Sequence, residues 1–427
     1  AKDYQDMPTN NHTIARSKYI QRGSIITSDG VTLAESLQQE DGTYARSYPN
    51  GNMAAHVVGY VSQQYGTAGI ESVMNDTLTG SKDYSSWNNA IASLAGQTQP
   101  GNTAKLTIDS RIQTAAEQAL KGFKGAVVVM DPRTGAVLAC ASSPTYDNTN
   151  IDALMQSGGG EDGSMYDRAM DALYTPGSTF KVVTLSAALE TGTASLTSTY
   201  QAPGSMDIGN APVTNDANES YGTISLLQAF AVSSNVVFGQ VANEVGANSL
   251  VQFANAFGYG QKLGQDLTTA ASIMADPSLM TEWETAWAGA GQPVGMDHTP
   301  GPQTTVMQNC VIAAAIANSG VVMDPFFVSQ ILAPDGTVVK TTQSRSLGQA
   351  VSSATADQVK QAMLAVVQSG TGTDAQIPGV KVAGKTGSAE TGGTNVNSMF
   401  VGFAPYDSPT VAISVALEDY DKHDVEA

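Results

Sequence analysis

A Pro-Gly break followed at once by an apolar helical segment is the feature that most constrains this chain. Pro176 and Gly177 end whatever precedes them, and the apolar residues that follow predict a buried helix beginning at Ser178. Residues three apart share a helix face, so Lys181 is expected one turn above Ser178. A desolvated lysine can activate a serine hydroxyl, and free N–H groups at a helix N-terminus can hold an oxyanion. By itself, the pair is better interpreted as a serine cap with a surface lysine, because such a pair occurs by chance in most chains.

Two further short patterns follow downstream. Ser233-Ser234-Asn235 comes next, and the helical spacing of residues 224–237 places it near a helix end or a helix–helix turn. Lys385-Thr386-Gly387-Ser388 comes last, where alternation over residues 380–383 predicts a strand that delivers Lys385 at its end. Ser-x-x-Lys, Ser-x-Asn and Lys-Thr-Gly in this order are the signature of penicillin-binding proteins and related serine β-lactamases.

The chain therefore resembles the monofunctional class B penicillin-binding proteins, which are D,D-transpeptidases, from about residue 20 to about residue 418. Its front module opens with a predicted hairpin over residues 22–34 and resembles that of the actinobacterial group called penicillin-binding protein A. Strand patterns at both ends of a central helical block favour an antiparallel sheet covered by helices. The resemblance implies the same α+β, multidomain architecture: a penicillin-binding transpeptidase fold, similar to that of serine β-lactamases, plus an elongated N-terminal pedestal module.

The polar stretches of the chain predict its division into domains. Residues 84–103 are rich in Ser, Asn, Gly and Gln, which indicates a linker or an extended arm. We therefore expect a non-catalytic pedestal module at residues 1–103, beginning with a polar tether to about residue 17, and a penicillin-binding transpeptidase domain at residues 104–427. The resemblance implies an N-terminal anchor, missing before Ala1, that would hold the protein on the extracytoplasmic face of a bacterial cell membrane.

Four residues are expected to carry the acyl transfer. Ser178 is the candidate nucleophile and Lys181 its base. Burial beside Lys385 would lower the pKa of Lys181, because desolvation and a like charge both disfavour the charged amine. Ser233 is the candidate proton relay to the departing amine. Lys385 supplies positive charge.

Four more residues are expected to bind the substrate. Asn235 can hydrogen-bond the substrate's peptide amide, and the hydroxyls of Thr386 and Ser388 can hold a terminal carboxylate. Gly387 would let a substrate strand lie close to the backbone. The resemblance implies an oxyanion hole made by the backbone N–H groups of Ser178 and Ser388.

The resemblance also implies the function. It predicts a peptidoglycan D,D-transpeptidase of cell-wall biogenesis that cross-links stem peptides ending in D-Ala-D-Ala and is acylated by β-lactam antibiotics. It implies a membrane glycosyltransferase of the cell-wall machinery as partner. The alternatives are a D,D-carboxypeptidase, in which water replaces the acceptor amine, and a β-lactam-sensing protein that is not an enzyme. Gaps of 55 and 152 residues between the three motifs favour a transpeptidase over a compact β-lactamase.

Other classes of function fit the sequence poorly. Twenty basic and 39 acidic residues give a net charge of −19, so nucleic acid is not expected as a partner. Residues 379–386 match the letters of a phosphate-binding P-loop, but residues 387–394 lack the helical period that must follow one. The four histidines show no metal spacing, and neither a metal nor a cofactor is expected. Cys140 and Cys310 lie in apolar runs and are expected as buried free thiols.

Overall fold

A computed structural model describes residues 17–81, 99–392 and 395–421 of the chain. The predicted N-terminal tether and most of the predicted linker at 84–103 lie outside these ranges. Among the described residues, no helix is both long enough and apolar enough to cross a membrane.

The strands and helices are numbered here in chain order. The strands are β1 (Ile25–Ile26), β2 (Thr32–Gln38), β3 (Tyr44–Ser47), β4 (Val61–Ser62), β5 (Gly66–Thr67), β6 (Thr103–Leu106), β7 (Gly125–Met130), β8 (Val137–Ser143), β9 (Thr199–Ala202), β10 (Ser205–Ile208), β11 (Ala211–Thr214), β12 (Gly222–Ser225), β13 (Val321–Met323), β14 (Val328–Leu332), β15 (Val338–Thr341), β16 (Ser346–Gln349), β17 (Ala383–Gly392), β18 (Asn395–Ala404) and β19 (Val411–Asp421). The α-helices are α1 (Ala55–Val58), α2 (Gly69–Val73), α3 (Asn75–Thr79), α4 (Ser110–Ala119), α5 (Ile151–Gln156), α6 (Lys181–Glu190), α7 (Leu226–Ala231), α8 (Asn235–Val245), α9 (Ala247–Ala256), α10 (Glu282–Gly289), α11 (Val306–Ala317) and α12 (Ser353–Ser369).

A five-stranded antiparallel sheet in the order β17-β18-β19-β7-β8 forms the centre of the larger domain. Helices cover both of its faces, which is why all six residues of β7 are buried. Alternate β7 side chains point to opposite faces. Val128 packs into the main core that includes α11, and Val127 packs with Ala116 and Leu120 at the end of α4. The predicted antiparallel sheet covered by helices is therefore confirmed.

Helix α6 runs through the interior of the helical layer. A short 3-10 turn, Gly177–Phe180, leads into it, and every residue from Lys181 to Leu189 is buried. Helices α8, α9 and α12 pack around it. Because an apolar helix of this kind is enclosed on all sides, its N-terminal turn carries Lys181 into the core.

A second sheet joins strands from both sides of the predicted domain boundary. Its order is β15-β14-β6-β1-β2-β3, with β1 parallel to β6 and antiparallel to β2. In the front module, the buried carboxylate of Glu71 binds Arg22 Nε at 2.8 Å and Arg46 Nε at 2.6 Å. The division at residue 103 stays a prediction, because β6 begins there and belongs to a sheet shared by both parts.

We expect a chain that begins at Ala104 to be less stable than the whole protein. Removing β1 would expose one edge of β6, where Ile25 now pairs with Ala104 and Ile26 with Lys105. The thermal midpoint should fall by about 5 °C or more, since each 1 kcal/mol shifts the midpoint of a large domain by about 2–4 °C. A chain beginning at Ser17 is the control. Equal midpoints for the two truncations would show that the shared sheet does not couple the two parts.

Candidate active site

Ser178 lies in a tightly packed turn between a strand and a loop. Gly177 has a left-handed φ of 56°, and a Cβ there would lie 2.5 Å from the carbonyl oxygen of Ser388. The Gly177 N–H donates to the carbonyl of Gly291 at 3.1 Å. A Cβ on Gly291 would in turn lie 1.7 Å from the Gly177 carbonyl oxygen. Close approach on both sides therefore requires glycine and holds the Ser178 backbone in place.

Lys181 brings two of the three motifs together. Its Nζ lies 2.9 Å from Ser178 Oγ, as the one-turn spacing predicts. It also lies 2.8 Å from the Ser233 carbonyl oxygen, 3.1 Å from Ser233 Oγ and 2.7 Å from Asn235 Oδ1. The side chain is fully buried, so these oxygens surround an amine that does not reach the surface.

Lys385 adds the third motif. Its Nζ donates to Ser233 Oγ at 2.9 Å and to the Thr386 carbonyl at 3.0 Å. Ser233 Oγ is thus within hydrogen-bond distance of both lysines, 3.1 Å from Lys181 Nζ and 2.9 Å from Lys385 Nζ. Residues far apart in the sequence meet at this hydroxyl.

Apolar surroundings shift the pKa of both lysines downward. Desolvation lowers the pKa of Lys181 well below its ordinary value, and the nearby charge of Lys385 lowers it further. Desolvation lowers the pKa of Lys385 from 10.5 to about 7. Aromatic rings form part of these surroundings. The ring centroid of Phe238 lies 5.7 Å from Lys181 Nζ, and that of Phe230 lies 5.6 Å from Lys385 Nζ. The sequence predicted that burial and the charge of Lys385 would lower the pKa of Lys181, and the shift found in the structure has this direction and these two causes.

The Ser233–Asn235 motif lies at the junction of α7 and α8, which is one of the two positions that the helical spacing predicts, and Asn235 is the first residue of α8. Ser233 has a φ of 62°, which is unusual for a residue with a side chain. Ser234 caps α8 by accepting a hydrogen bond from the Val237 N–H at 3.2 Å. Both ends of the Asn235 amide have partners, since Nδ2 donates to the Thr214 carbonyl at 3.0 Å. The predicted bond from Asn235 to a substrate amide would require one of these partners to be exchanged.

Strand β17 carries the third motif at the edge of the five-stranded sheet, beside the Ser178 turn. Lys385 is the third residue of this strand, so the prediction that it follows a strand at 380–383 was wrong: the strand begins only at Ala383. Residues 387–392 continue strand β17 and do not form a helix, which agrees with the rejection of a P-loop. Thr386 and Ser388 share the outer face of β17, and Ser388 is exposed.

The glycine of the third motif has a packing role that the sequence did not indicate. A Cβ on Gly387 would lie 2.9 Å from the Pro176 carbonyl oxygen and 3.0 Å from the Thr179 nitrogen. The contact that requires glycine is therefore with the protein's own Ser178 turn. The predicted close approach of a substrate strand stays a prediction.

Comparison with known proteins decides the family. Residues 125–426 match the family model of the penicillin-binding protein transpeptidase domain. Residues 22–104 match that of the penicillin-binding protein A dimerisation domain. This chain belongs to the penicillin-binding transpeptidase family.

The similarity extends over nearly the whole of this penicillin-binding transpeptidase. The peptidoglycan D,D-transpeptidase PbpA of Mycolicibacterium smegmatis is 32% identical over 96% of the chain and 86% of its own length. A crystal structure of the D,D-transpeptidase domain of a peptidoglycan glycosyltransferase from Eggerthella lenta is 44% identical, with a TM-score of 0.87 and 94% of each chain covered. Penicillin-binding protein A from M. tuberculosis, as an imipenem acyl-enzyme complex, is 31% identical with a TM-score of 0.86, covering 94% of this chain and 95% of that one.

Several residues that contact the three motifs were not predicted from the sequence. Phe230 and Phe238 flank the lysines, and each looks like an ordinary core residue of an apolar helix. Thr371 Oγ1 lies 2.6 Å from Thr386 Oγ1, beyond the end of α12. Asn215 contacts the Ser233–Asn235 turn from outside the motif. Their sequence neighbourhoods contain no pattern that links them to the three motifs. Among the described residues, no cluster of three or more His, Cys, Asp or Glu side chains could hold a metal ion.

Replacing Lys385 with Met should make the protein more stable near neutral pH, with a gain that depends on pH. Below about pH 7 Lys385 is protonated in both the folded and the unfolded protein, so the free energy of unfolding is reduced by the full cost of burying a charged amine. Between about 7 and 10.5 the folded lysine is neutral while the unfolded one keeps its proton, so that cost declines as the pH rises. The difference in thermal midpoint between Lys385→Met and the parent should therefore be largest near pH 6 and shrink by pH 10.

Lys381→Met is the matched control for this measurement. Lys381 is exposed and pairs with Asp407 at 3.2 Å on the surface, so its replacement should change the midpoint little at any pH. A gain from Lys385→Met that stays constant from pH 6 to 10 would contradict the lowered pKa of Lys385.

Proposed function

We propose that this chain is a peptidoglycan D,D-transpeptidase that cross-links stem peptides through an acyl-enzyme on Ser178. β-Lactams would inhibit it by acylating the same hydroxyl. The observation that carries the proposal is the buried Lys181 amine, which lies within hydrogen-bond distance of both Ser178 Oγ and Ser233 Oγ. The relatives support the reaction class, since a penicillin-binding protein A has been solved as an imipenem acyl-enzyme.

The contacts of Lys181 support its role as the base. A neutral amine has two N–H bonds and one lone pair. The Ser233 carbonyl and Asn235 Oδ1 can only accept, so they take the two N–H bonds at 2.8 and 2.7 Å. The lone pair is left for the hydroxyl proton of Ser178, whose Oγ lies 2.9 Å away. Desolvation and the charge of Lys385 lower the pKa of Lys181 and so favour this neutral form.

Acylation would follow from these positions. Ser178 Oγ attacks the carbonyl between the two terminal D-Ala residues, and Lys181 takes its proton. An ester C–O bond forms and the peptide C–N bond breaks. Ser233 Oγ accepts a hydrogen bond from Lys385, so its own proton can pass to the departing amine of D-Ala. Lys181 then returns a proton to Ser233, and free D-Ala leaves.

The second half-reaction would reverse these roles. The amine of a neighbouring stem peptide attacks the ester, a new amide bond forms, and the ester C–O bond breaks. The proton that the amine loses returns through Lys181 to Ser178 Oγ. In a D,D-carboxypeptidase, water would take the place of the amine. Release of D-Ala without any cross-linked product, in the presence of an acceptor peptide, would favour that alternative.

Binding of the substrate is assigned to β17 and its surroundings. The outward hydroxyls of Thr386 and Ser388 would hold the terminal carboxylate, with Lys385 as the nearby positive charge. The N–H groups of Ser178 and Ser388 would form the oxyanion hole. The packing of Gly177 against the Ser388 carbonyl supports this assignment, because it keeps the two residues adjacent.

The substrate implies the location and the partners. Stem peptides of nascent peptidoglycan lie outside the cytoplasmic membrane, so we propose that the protein acts on its extracytoplasmic face. The membrane glycosyltransferase that supplies nascent glycan strands remains the expected partner. A β-lactam sensor, the non-enzyme alternative, would stay acylated and form no product from D-Ala-D-Ala peptides.

Penicillin should add one covalent adduct per chain, on the peptide that contains Ser178. This expectation rests on the position of Ser178 Oγ, which lies 2.9 Å from the buried Lys181 amine. Intact mass spectrometry after incubation, followed by peptide mapping, measures this directly. Ser178→Ala should show no adduct. An adduct that persists in Ser178→Ala would assign the nucleophile to another residue.

Lys181→Arg should nearly abolish acylation on the time scale of the parent, although it keeps a positive charge. Arginine holds its proton with a pKa above about 12, so it cannot act as a base near neutral pH. General-base catalysis is typically worth about 10²–10⁴ in rate, and the loss of acylation rate should fall in that range. A stopped time course with a fluorescent penicillin measures it. Acylation within a few-fold of the parent rate would mean that Lys181 acts only as a charge and would move the base role elsewhere.

A further inference from the structure

Asn215 is a buried amide that belongs to none of the three motifs. It follows β11 directly and is only 4% exposed. Its Oδ1 accepts from Ser234 Oγ at 2.9 Å and from the Val236 N–H at 3.0 Å. Its Nδ2 donates to the carbonyls of Pro203 at 3.1 Å and Glu219 at 2.8 Å. All four hydrogen bonds that an amide side chain can make are therefore formed.

The residue before it holds the motif as well. The Thr214 carbonyl accepts from Asn235 Nδ2 at 3.0 Å, which turns Asn235 Oδ1 toward Lys181. A flipped Asn235 would point its own N–H groups at the amine and leave a Lys181 N–H without an acceptor. Thr214 and Asn215 thus contact three consecutive positions, 234, 235 and 236. Pairing of Thr214 with Ser205 in the β10–β11 hairpin holds this segment in place.

The backbone of the motif needs such support. The left-handed conformation of Ser233 (φ 62°) is strained for a residue with a side chain and persists only where its surroundings enforce it. That conformation points the Ser233 carbonyl and Oγ at Lys181 Nζ, at 2.8 and 3.1 Å. The hydrogen bonds from Ser234 and Val236 to Asn215 begin one residue after Ser233 and hold the chain where it leaves this conformation.

We propose that Asn215 is a positioning residue for acyl transfer. It clamps the Ser233–Asn235 turn from outside, so that Ser233 and Asn235 keep their oxygens on the Lys181 amine. The role rests on the proposed function, because its consequence is a rate of acylation. It acts through Ser233 and Asn235, and none of its four hydrogen bonds goes to Ser178 or to the β17 residues assigned to carboxylate binding.

The test is the acylation of Asn215→Ala by nitrocefin, resolved into the dissociation constant of the initial complex and the first-order acylation rate. A misplacement of about 1 Å in a catalytic group can cost about 10²-fold. We expect the acylation rate to fall about 10–100-fold, with a much smaller change in the dissociation constant, because β17 is untouched. A parental acylation rate in folded Asn215→Ala would overturn the proposal.

Asn148→Ala is the matched control for the loss of a buried amide. Asn148 is 2% exposed and donates to the carbonyls of Ala55 and Gly59, away from the three motifs. Its replacement should lower the thermal midpoint but leave the acylation rate at the parental value. An equal loss of rate in both variants, at equal loss of stability, would mean that Asn215 has only a structural role and would overturn the proposal.

Ser234→Ala provides a second route to the same answer. It removes one bond to Asn215, and it can be measured even where Asn215→Ala does not fold. We expect a several-fold slower acylation, and a combined effect in the double variant that is clearly smaller than the sum of the two free-energy changes. Parental acylation by folded Ser234→Ala, or strict additivity in the double variant, would overturn the proposal. The parent provides the separate test of function: an unacylated parent overturns both proposals, whereas a normally acylated parent beside normally acylated variants overturns only this one.

Discussion

The amine of Lys181 lies in the protein interior, where oxygen atoms of Ser178, Ser233 and Asn235 take the place of water. An uncompensated amine at this depth would be strongly destabilising. These contacts satisfy its hydrogen bonds, and the apolar surroundings keep its pKa low. The same arrangement thus makes the burial tolerable and, in the proposed mechanism, leaves a lone pair for the Ser178 hydroxyl. Most of the other features of the site serve to hold these oxygens in place.

Glycine residues allow the Ser178 turn, the loop after α10 and strand β17 to approach one another closely. Gly177, Gly291 and Gly387 each sit where a Cβ would collide with backbone atoms of a neighbouring element. The Ser178 turn, the loop after α10 and strand β17 are therefore packed backbone to backbone. Because backbone contacts adapt little, Ser178 and the third motif keep a constant spatial relation. A larger side chain at any of the three positions would separate the elements.

Stability and function oppose each other at the lysines. The amines of Lys181 and Lys385 both lie within hydrogen-bond distance of Ser233 Oγ, next to Phe230 and Phe238. Burying two amines in this way lowers the stability of the folded protein. The surrounding fold compensates through a large apolar core that runs from the five-stranded sheet through α6 and α11 into the front module. Glu71 with Arg22 and Arg46 anchors the front module, and β1 joins it to β6. The site is therefore a destabilised region supported by the rest of the fold.

Local spacing and turn residues were enough to predict the three motifs, the helix behind Ser178, a helix end or helix–helix turn at Ser233, and an antiparallel sheet covered by helices. The start of β17 was misjudged, since strand ends depend on pairing with β18 and not on local alternation. The packing role of Gly387 and the contacts of Asn215 and Thr371 came only from the tertiary structure. Hydrogen bonds between residues that are distant in the sequence produce no periodic pattern in that sequence. A single segment is enough to predict which side chains are reactive. The residues that hold those side chains in place come from separate segments, and only the folded structure shows which ones meet.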